Sequence, residues 1–231
     1  MGWAQANLVI LPESSASDFR NFCGRNPRAC PLIEETWPGS FTPQRSAPGA
    51  DLRLDVPRYR VYRQGALERE VDNLLDLWRD DFVAFLLGCS FTFEAALVRA
   101  GIGLRHVELG RTVPMYRTNR ECEPAGPFHG PVVVSMRPVA IQLVETAIEV
   151  TGRYPRSHGA PIHVGEPAAL GIEDLDKPDY GDAVPVGEDE VPVFWACGVT
   201  PQAAAEAAKI ELMITHTPGR MFITDLREDS P

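Results

Sequence analysis

No stretch of the chain is apolar for long enough to cross a bilayer. The longest apolar helix candidate, "DFVAFLLG", falls far short of the roughly 20 residues that a helical span requires. The N-terminus has neither the basic segment nor the long apolar core of a signal peptide, so a cytoplasmic protein without a membrane partner is expected. Cysteine is sparse and unpaired: five residues at positions 23, 30, 89, 122 and 197 form no tight pair, and an odd count does not suit a secreted disulfide scaffold. No spacing supports a structural zinc site, and no metal is expected. The G-x-G-x-x-G and P-loop signatures of nucleotide binding are missing, and "GCS" is not the full G-x-S-x-G elbow of a serine hydrolase. Positive charge is also in deficit. A formal net charge of -10 argues against a broad nucleic-acid-binding surface, while leaving room for a local pocket that takes a small anion.

What is present is enough for a sizeable core: 231 residues, 44% hydrophobic and 23% charged, with 19 glycines and 21 prolines punctuating the chain. "QANLVILPESSASDF" reads as an apolar segment, a turn and a helix start capped by Ser15 or Ser17. Residues 24–57 are proline-rich with little periodicity and predict a long wrapping loop. "RYRVYRQG" alternates as a strand ending at Gly65. In "ALEREVDNLLDLWRDDFVAFLLG", Leu67, Val71, Leu74, Leu75, Trp78 and Phe82 recur at three- and four-residue spacing and predict a helix. A second helix is expected from about Thr92 to Arg99, a third from Pro138 over "PVAIQLVETAIEVTG", and a fourth over "TPQAAAEAAKI" with Thr200 as N-cap and Pro201 behind it. "GPVVVSM", "GAPIHVG", "VPVFWACG" and "IELMITH" are strand candidates. Strands interleaved with helices of about 10–15 residues favour an α/β fold.

Several segments carry groups able to do chemistry. In "GCSFTFE", Ser90 can cap a helix and Cys89 can fill the core; equally, the helix foot can hold an anion or activate the thiol. Glu94, one turn on, is an acid/base candidate or a first-turn glutamate favoured by the helix dipole. "MYRTN" offers Arg117 as a bidentate carboxylate grip, with Tyr116, Thr118 and Asn119 as directional hydrogen-bonding groups or members of a satisfied surface turn. Arg137, beside Ser135 in "VVVSMRP", is a second anchor or merely a residue flanking the helix. His158 and His163 in "SHGAPIHVG" lack the i,i+4 spacing of a helical metal pair and suit acid/base or hydrogen-bonding roles. Thr215, His216, Thr217 and Gly219 suit a polar ligand loop, with Asp225 able to orient a base.

"NLVILP", "GCSFTFE", "MYRTN", "GPVVVSMRP", "HGAPIHVG", "VPVFWACGVTPQ" and "ITHTPGRMFITD" occur in this order over nearly the whole chain. Together they resemble the hydro-lyase family also called D-glutamate cyclase-like or DUF1445. The resemblance implies an α/β fold with a three-layer main part and a smaller α+β part, placed within about residues 105–190. It also implies dehydration of D-glutamate to 5-oxo-D-proline. A basic, glycine-containing segment with an R-x-x-x-R-like stretch is expected ahead of "QANLVILP" in this family.

That chemistry joins an amine to the substrate's own side-chain carboxylate and needs no cofactor. On this reading Arg117 and Arg137 anchor carboxylates of a small anionic substrate. Thr118, Asn119 and the amides near Ser90 and Gly198 stabilise oxygen charge. His216 or His158 is the base, with Glu94 the alternative, and Tyr116, His163, Thr200 and Thr215 complete the polar lining. Other readings are a lyase acting at the substrate Cα, a cysteine-dependent enzyme, and a carboxylate-binding protein without catalysis. A homo-oligomer is the general expectation for a soluble protein.

Overall fold

The computed structural model describes residues 2–228. Its elements, in chain order, are β1 (Trp3–Pro12), α1 (Glu13–Arg25), β2 (Leu32–Glu35), β3 (Tyr59–Arg63), β4 (Ala66–Val71), β5 (Phe82–Gly88), α2 (Phe91–Arg99) and α3 (Arg105–Glu108). There follow β6 (Met115–Glu121), β7 (Pro131–Ala140), α4 (Val144–Gly152), β8 (His163–Val164), β9 (Glu190–Ala196), α5 (Thr200–Ala207), β10 (Leu212–His216) and β11 (Phe222–Arg227). The strands form two sheets in a layered, mixed α/β architecture. The first has the order β2-β5-β1-β10-β3-β4 with β11 also on β1, and the second the order β6-β7-β9-β8. Every pairing between these strands is antiparallel.

The first sheet is buried on both faces. Val9, Leu11, Val83, Phe85 and Leu87 face α1 and α5, where Phe19, Phe22, Ala204 and Ala205 cover them. Leu8, Ile10, Ala84 and Leu86 face the wrapping loop, which contributes Ala47, Leu52 and Val56. This double burial explains the largest departure from the sequence expectation. Residues 66–88 are not one helix but the strands β4 and β5 joined by a turn. A strand covered on both faces shows no alternation, so "FVAFLL" carries no period-two signal. In β4 the apolar residues Leu67 and Val71 happened to fall in register with the turn residues that follow. Charged β4 is an edge strand held by cross-strand pairs, Arg60–Glu70 at 2.9 Å and Arg63–Glu68 at 3.0 Å.

Three helix starts also differ. Neither Ser15 nor Ser17 caps α1; β1 runs straight into it, and the orphan amide of Glu13 donates to the Asp81 carbonyl at 2.7 Å. Pro138 does not open a helix. It lies in β7 opposite Pro192, and burial of Val139 against Val191 keeps the chain extended until a 3₁₀ turn at Ile141–Leu143 leads into α4. Thr200 is the first residue of α5 rather than its cap, because its hydroxyl accepts the Val133 amide at 3.0 Å.

The two helices that follow "GCS" and "ACG" cross over between sheets. α2 leaves β5 of the first sheet, and its Phe93 and Leu97 pack against Val139, Val193 and Trp195 of the second. α5 leaves β9 of the second sheet, and its Ala204 and Ala205 join the core of the first. Among the described residues no helix is long and apolar enough to cross a membrane.

The core of the first sheet is centred on aromatic contacts. The Phe19 ring meets Phe85 edge-on at 4.9 Å and Phe128 at 5.1 Å. Phe85→Ala should therefore lower unfolding free energy by about 3–5 kcal/mol in urea titrations, the range for truncating a buried aromatic.

Candidate functional site

The crossing of α2 and α5 brings both cysteine-bearing junctions to one cleft. Cys89, Ser90 and Phe91 line one side and Cys197, Gly198 and Val199 the other, with Asn7, Thr112, Met115, His216 and Met221 completing a narrow cleft. Both helices point their N-termini at it, so their dipoles favour negative charge there. No Asp, Glu, Lys or Arg is among the lining residues.

Close backbone approach makes the cleft possible. A Cβ on Gly198 would sit 2.0 Å from Asn7 Nδ2, and a Cβ on Gly88 would sit 1.6 Å from the Arg156 carbonyl oxygen. Backbone blocks any side chain at Gly88, and a side chain at Gly198 would displace Asn7. Asn7, on β1, donates from Nδ2 to the Gly88 carbonyl at 2.8 Å and thereby ties the two junctions together.

His216 ends β10 where its ladder with β1 stops: Val9 pairs with Thr215, and the next β1 amide, Leu8, donates to the ring Nδ1 at 3.2 Å. The Leu8 carbonyl oxygen is farther from Nδ1, at 3.4 Å, so the amide contact is the bond, and an accepting Nδ1 leaves the proton on Nε2. Burial lowers the His216 pKa to about 4, so the ring is neutral near pH 7. It therefore offers an N–H donor to the cleft rather than a strong base.

Behind Ser90 lies a buried ion pair. Arg137, 1% exposed, directs Nε and Nη2 to Glu94 Oε1 at 3.0 and 2.5 Å, Nη2 also to Ser90 Oγ at 3.1 Å, and Nη1 to Ser135 Oγ at 3.1 Å. Phe93 and Trp195 flank the guanidinium at 5.4 and 5.5 Å. His106 Nε2 lies 3.2 Å from the same Glu94 oxygen. Burial alone would raise the Glu94 pKa, but Arg137 and His106 outweigh it and hold the carboxyl below its ordinary range. Because Ser90 accepts from Arg137, its own hydroxyl proton is free for a partner in the cleft.

Of the residues proposed from sequence, the structure thus brings Ser90, Gly198, His216 and Gly219 together and sets Glu94 and Arg137 directly behind them. The others lie elsewhere. Tyr116 and Arg117 line a separate open cleft with Asp174, Lys177 and Asp179; Arg117 is exposed and donates to Tyr180 Oη at 2.6 Å, while Tyr116 donates to the Leu175 carbonyl at 2.7 Å. Thr118 donates to the Val132 carbonyl at 2.8 Å, and Asn119 is exposed beside Gly171. His163 is half-buried with Nε2 2.8 Å from the Glu166 carbonyl oxygen. Thr200 is held by Val133, and the buried Thr215 hydroxyl donates to the His216 carbonyl at 3.0 Å. His158, in a left-handed conformation with φ 77°, donates from Nδ1 to the Arg28 carbonyl at 2.7 Å and is not part of the cleft lining. Sequence reasoning missed Asn7 and His106. Asn7 left one signal, a lone amide at the head of the apolar run "NLVIL"; nothing marked His106.

The cysteines are neutral. Burial pushes the Cys89 thiol up to about 12 and raises Cys197 as well, against weaker lowering by nearby helix amides. Among the described residues no group of three or more His, Cys, Asp or Glu side chains is placed to hold a metal ion.

Removing one partner of the ion pair strands the other. Arg137→Met should cost about 3–5 kcal/mol in urea-unfolding free energy, since Glu94 would then be buried without a counter-charge. A second expectation concerns acid. Burial lowers the pKa of His158, like that of His216, to about 4, whereas an unfolded histidine titrates near 6.5. The unfolded chain binds these protons first, so stability should fall as pH drops from about 6.5 to about 4. Urea titrations at pH 7 and pH 5 check this; in His158→Asn, which tolerates the left-handed backbone, the difference should shrink.

Comparison with known proteins agrees with the sequence motifs. The family profile described as D-glutamate cyclase matches residues 83–225. A Rubrobacter xylanophilus protein named "Putative hydro-lyase" is 63% identical over 227 residues, 98% of this chain and 88% of that protein. Proteins of the same designation from Stutzerimonas stutzeri and Bacillus subtilis are 59% and 56% identical, each over 99% of this chain and over 86% and 89% of their own lengths. A solved nitrogen repressor-like protein from Methanococcus jannaschii aligns with a TM-score of 0.43 at 9% identity, over 94% of this chain and 86% of that one, too distant to carry fold or function across. With the profile covering more than half of its length and such close relatives along nearly all of it, the chain belongs to the D-glutamate cyclase family.

Proposed function

We propose that the chain is a hydro-lyase that dehydrates D-glutamate to 5-oxo-D-proline in the cleft between the α2 and α5 N-termini. One observation carries the reading: hydrogen-bond donors and two helix dipoles converge on a space whose lining includes no charged side chain. Proton accounting shows why this arrangement suits the reaction. Glutamate enters with one ammonium and two carboxylates and leaves as a monoanionic lactam plus water. Nitrogen loses two protons and the departing oxygen gains two, so no proton is exchanged with solvent overall.

The substrate thus contains its own acid and base. Desolvation in the cleft disfavours the charged ammonium and side-chain carboxylate, and promotes the neutral amine and carboxylic acid that react. As the C–N bond forms, negative charge develops on the former carbonyl oxygen. The Ser90 hydroxyl and the His216 Nε2–H are the donors suited to it, aided by the helix dipoles. A proton then passes from nitrogen to the departing hydroxyl as the C–O bond breaks. Holding the chain folded into a five-membered attack geometry contributes further rate. Glu94 and Arg137 act through Ser90, as positioning residues. In this account His216 is a fixed donor, and neither it nor His158 serves as the base.

Incubation with a panel of D- and L-amino diacids, followed by mass spectrometry, should show water loss from D-glutamate. His216→Ala should reduce turnover by roughly 10²-fold or more, the usual cost of deleting an oxyanion donor. Cys89→Ser and Cys197→Ser, made separately, should both retain turnover. With respect to His216 the rate should stay level between pH 5 and 8 and decline only as pH approaches about 4, where the ring gains a proton. Binding of D-glutamate without product would favour the second reading, a carboxylate-binding protein, which the lack of a charged acid/base group in the lining also accommodates.

A further inference from the structure

The donors in the cleft account for a carboxylate but leave the substrate nitrogen without a partner. Asn7 is the residue placed to supply one. Its side chain is 5% exposed and lines the cleft. Its orientation is fixed by chemistry: the amide end faces two carbonyls, Gly88 at 2.8 Å and Leu87 at 3.5 Å, which only an N–H donor can satisfy. The whole amide, Nδ2, Cγ and Oδ1, lies against Gly198, whose lack of a Cβ leaves room for it. Oδ1, on the opposite arm of the amide, lies beside Gly198 at the cleft, and no described residue donates to it. An uncharged acceptor lodged among donors is unusual in a pocket built only for anions.

We propose that Asn7 Oδ1 receives an N–H of the substrate's amino group and so selects amino diacids over plain diacids. This rests on the cleft being the D-glutamate site. A neutral carbonyl acceptor fits the task better than a carboxylate would. It orients the nitrogen lone pair towards the side-chain carboxyl while leaving the ammonium free to lose its proton, which an ion pair would hold in place. Asn7 also ties β1 to Gly88 and packs on Gly198, so the same side chain couples nitrogen placement to the geometry of both helix starts.

The test compares D-glutamate with glutarate, which has both carboxylates and no amine, by calorimetric titration. The unmodified protein should bind D-glutamate at least roughly tenfold more tightly than glutarate, as expected for one buried hydrogen bond to a charged or polar nitrogen. In Asn7→Leu, close to isosteric, the preference for D-glutamate over glutarate should disappear, the ratio of the two affinities falling to about one. Equal losses for both ligands, or no loss for either, would overturn the role of Asn7 while leaving the cleft assignment standing. Failure of the unmodified protein to bind either ligand would remove the cleft assignment and this inference with it. Should the leucine variant not fold, asparagine-selective ¹⁵N labelling of the unmodified protein gives the answer directly. The Asn7 side-chain resonances should move with D-glutamate and not with glutarate; equal movement with both would refute the proposal.

Discussion

A guanidinium that is 1% exposed cannot stand alone, and the arrangement of this protein follows from how Arg137 is satisfied. The residue rises from β7 in the second sheet, while Glu94 and Ser90 belong to the turn and helix that leave the first. Their contacts require α2 to lie against the second sheet with its N-terminal turn beside Arg137 of β7. Once that helix is seated, Ser90 is presented to the cleft with its acceptor side filled and its donor side free. Buried ion pairs of this kind contribute little net stability, because desolvation offsets the attraction. What the pair supplies is a fixed angle between two sheets that share no strand.

The cleft that results has a character opposite to the one that a diacid substrate first suggests. An anion is usually expected to be met by arginine or lysine, and the exposed Arg117 is the obvious side chain for the task. The cleft instead combines neutral donors, helix dipoles and apolar walls. For simple binding that would be a weak choice. For the proposed reaction, whose productive form is an uncharged amine beside an uncharged acid, a strong counter-charge would stabilise the wrong protonation state, and a neutral lining avoids it. His216 illustrates the principle at one residue: the Leu8 amide fixes its tautomer and burial keeps it uncharged.

Much of this was legible in the sequence, in a particular way. The two junctions could be recognised because each pairs an apolar run with a small residue and a helix-opening hydroxyl, local signals that survive without tertiary information. That both serve one pocket was expected from the chemistry the resemblance implies; how they meet could not be read, since it depends on two helices exchanging sheets. Arg117 and Arg137 illustrate the same divide. Both read as carboxylate grips, yet one sits on a separate exposed surface and the other is consumed by Glu94. Strand β5 was misread because double-sided burial erases the alternation that identifies a half-buried strand. Asn7 escaped notice because a single polar residue on an apolar strand has many uses, and only the facing Gly198 and Gly88 disclose which one applies here.

The five cysteines, all reduced and all buried, have one further consequence. Burial pushes Cys122 up to about 11 and raises Cys30 well above the usual thiol range, as it does Cys89 and Cys197. At these four positions a closed molecule therefore presents almost no thiolate to an alkylating reagent, and modification must wait for local opening. Cys89 and Cys197 sit at the helix junctions, Cys23 on α1, Cys30 just beyond it and Cys122 after β6. The chain thus carries its own set of positioned clocks. The order in which these thiols become modified records which layers separate first, and how often the walls of the cleft part in the intact protein.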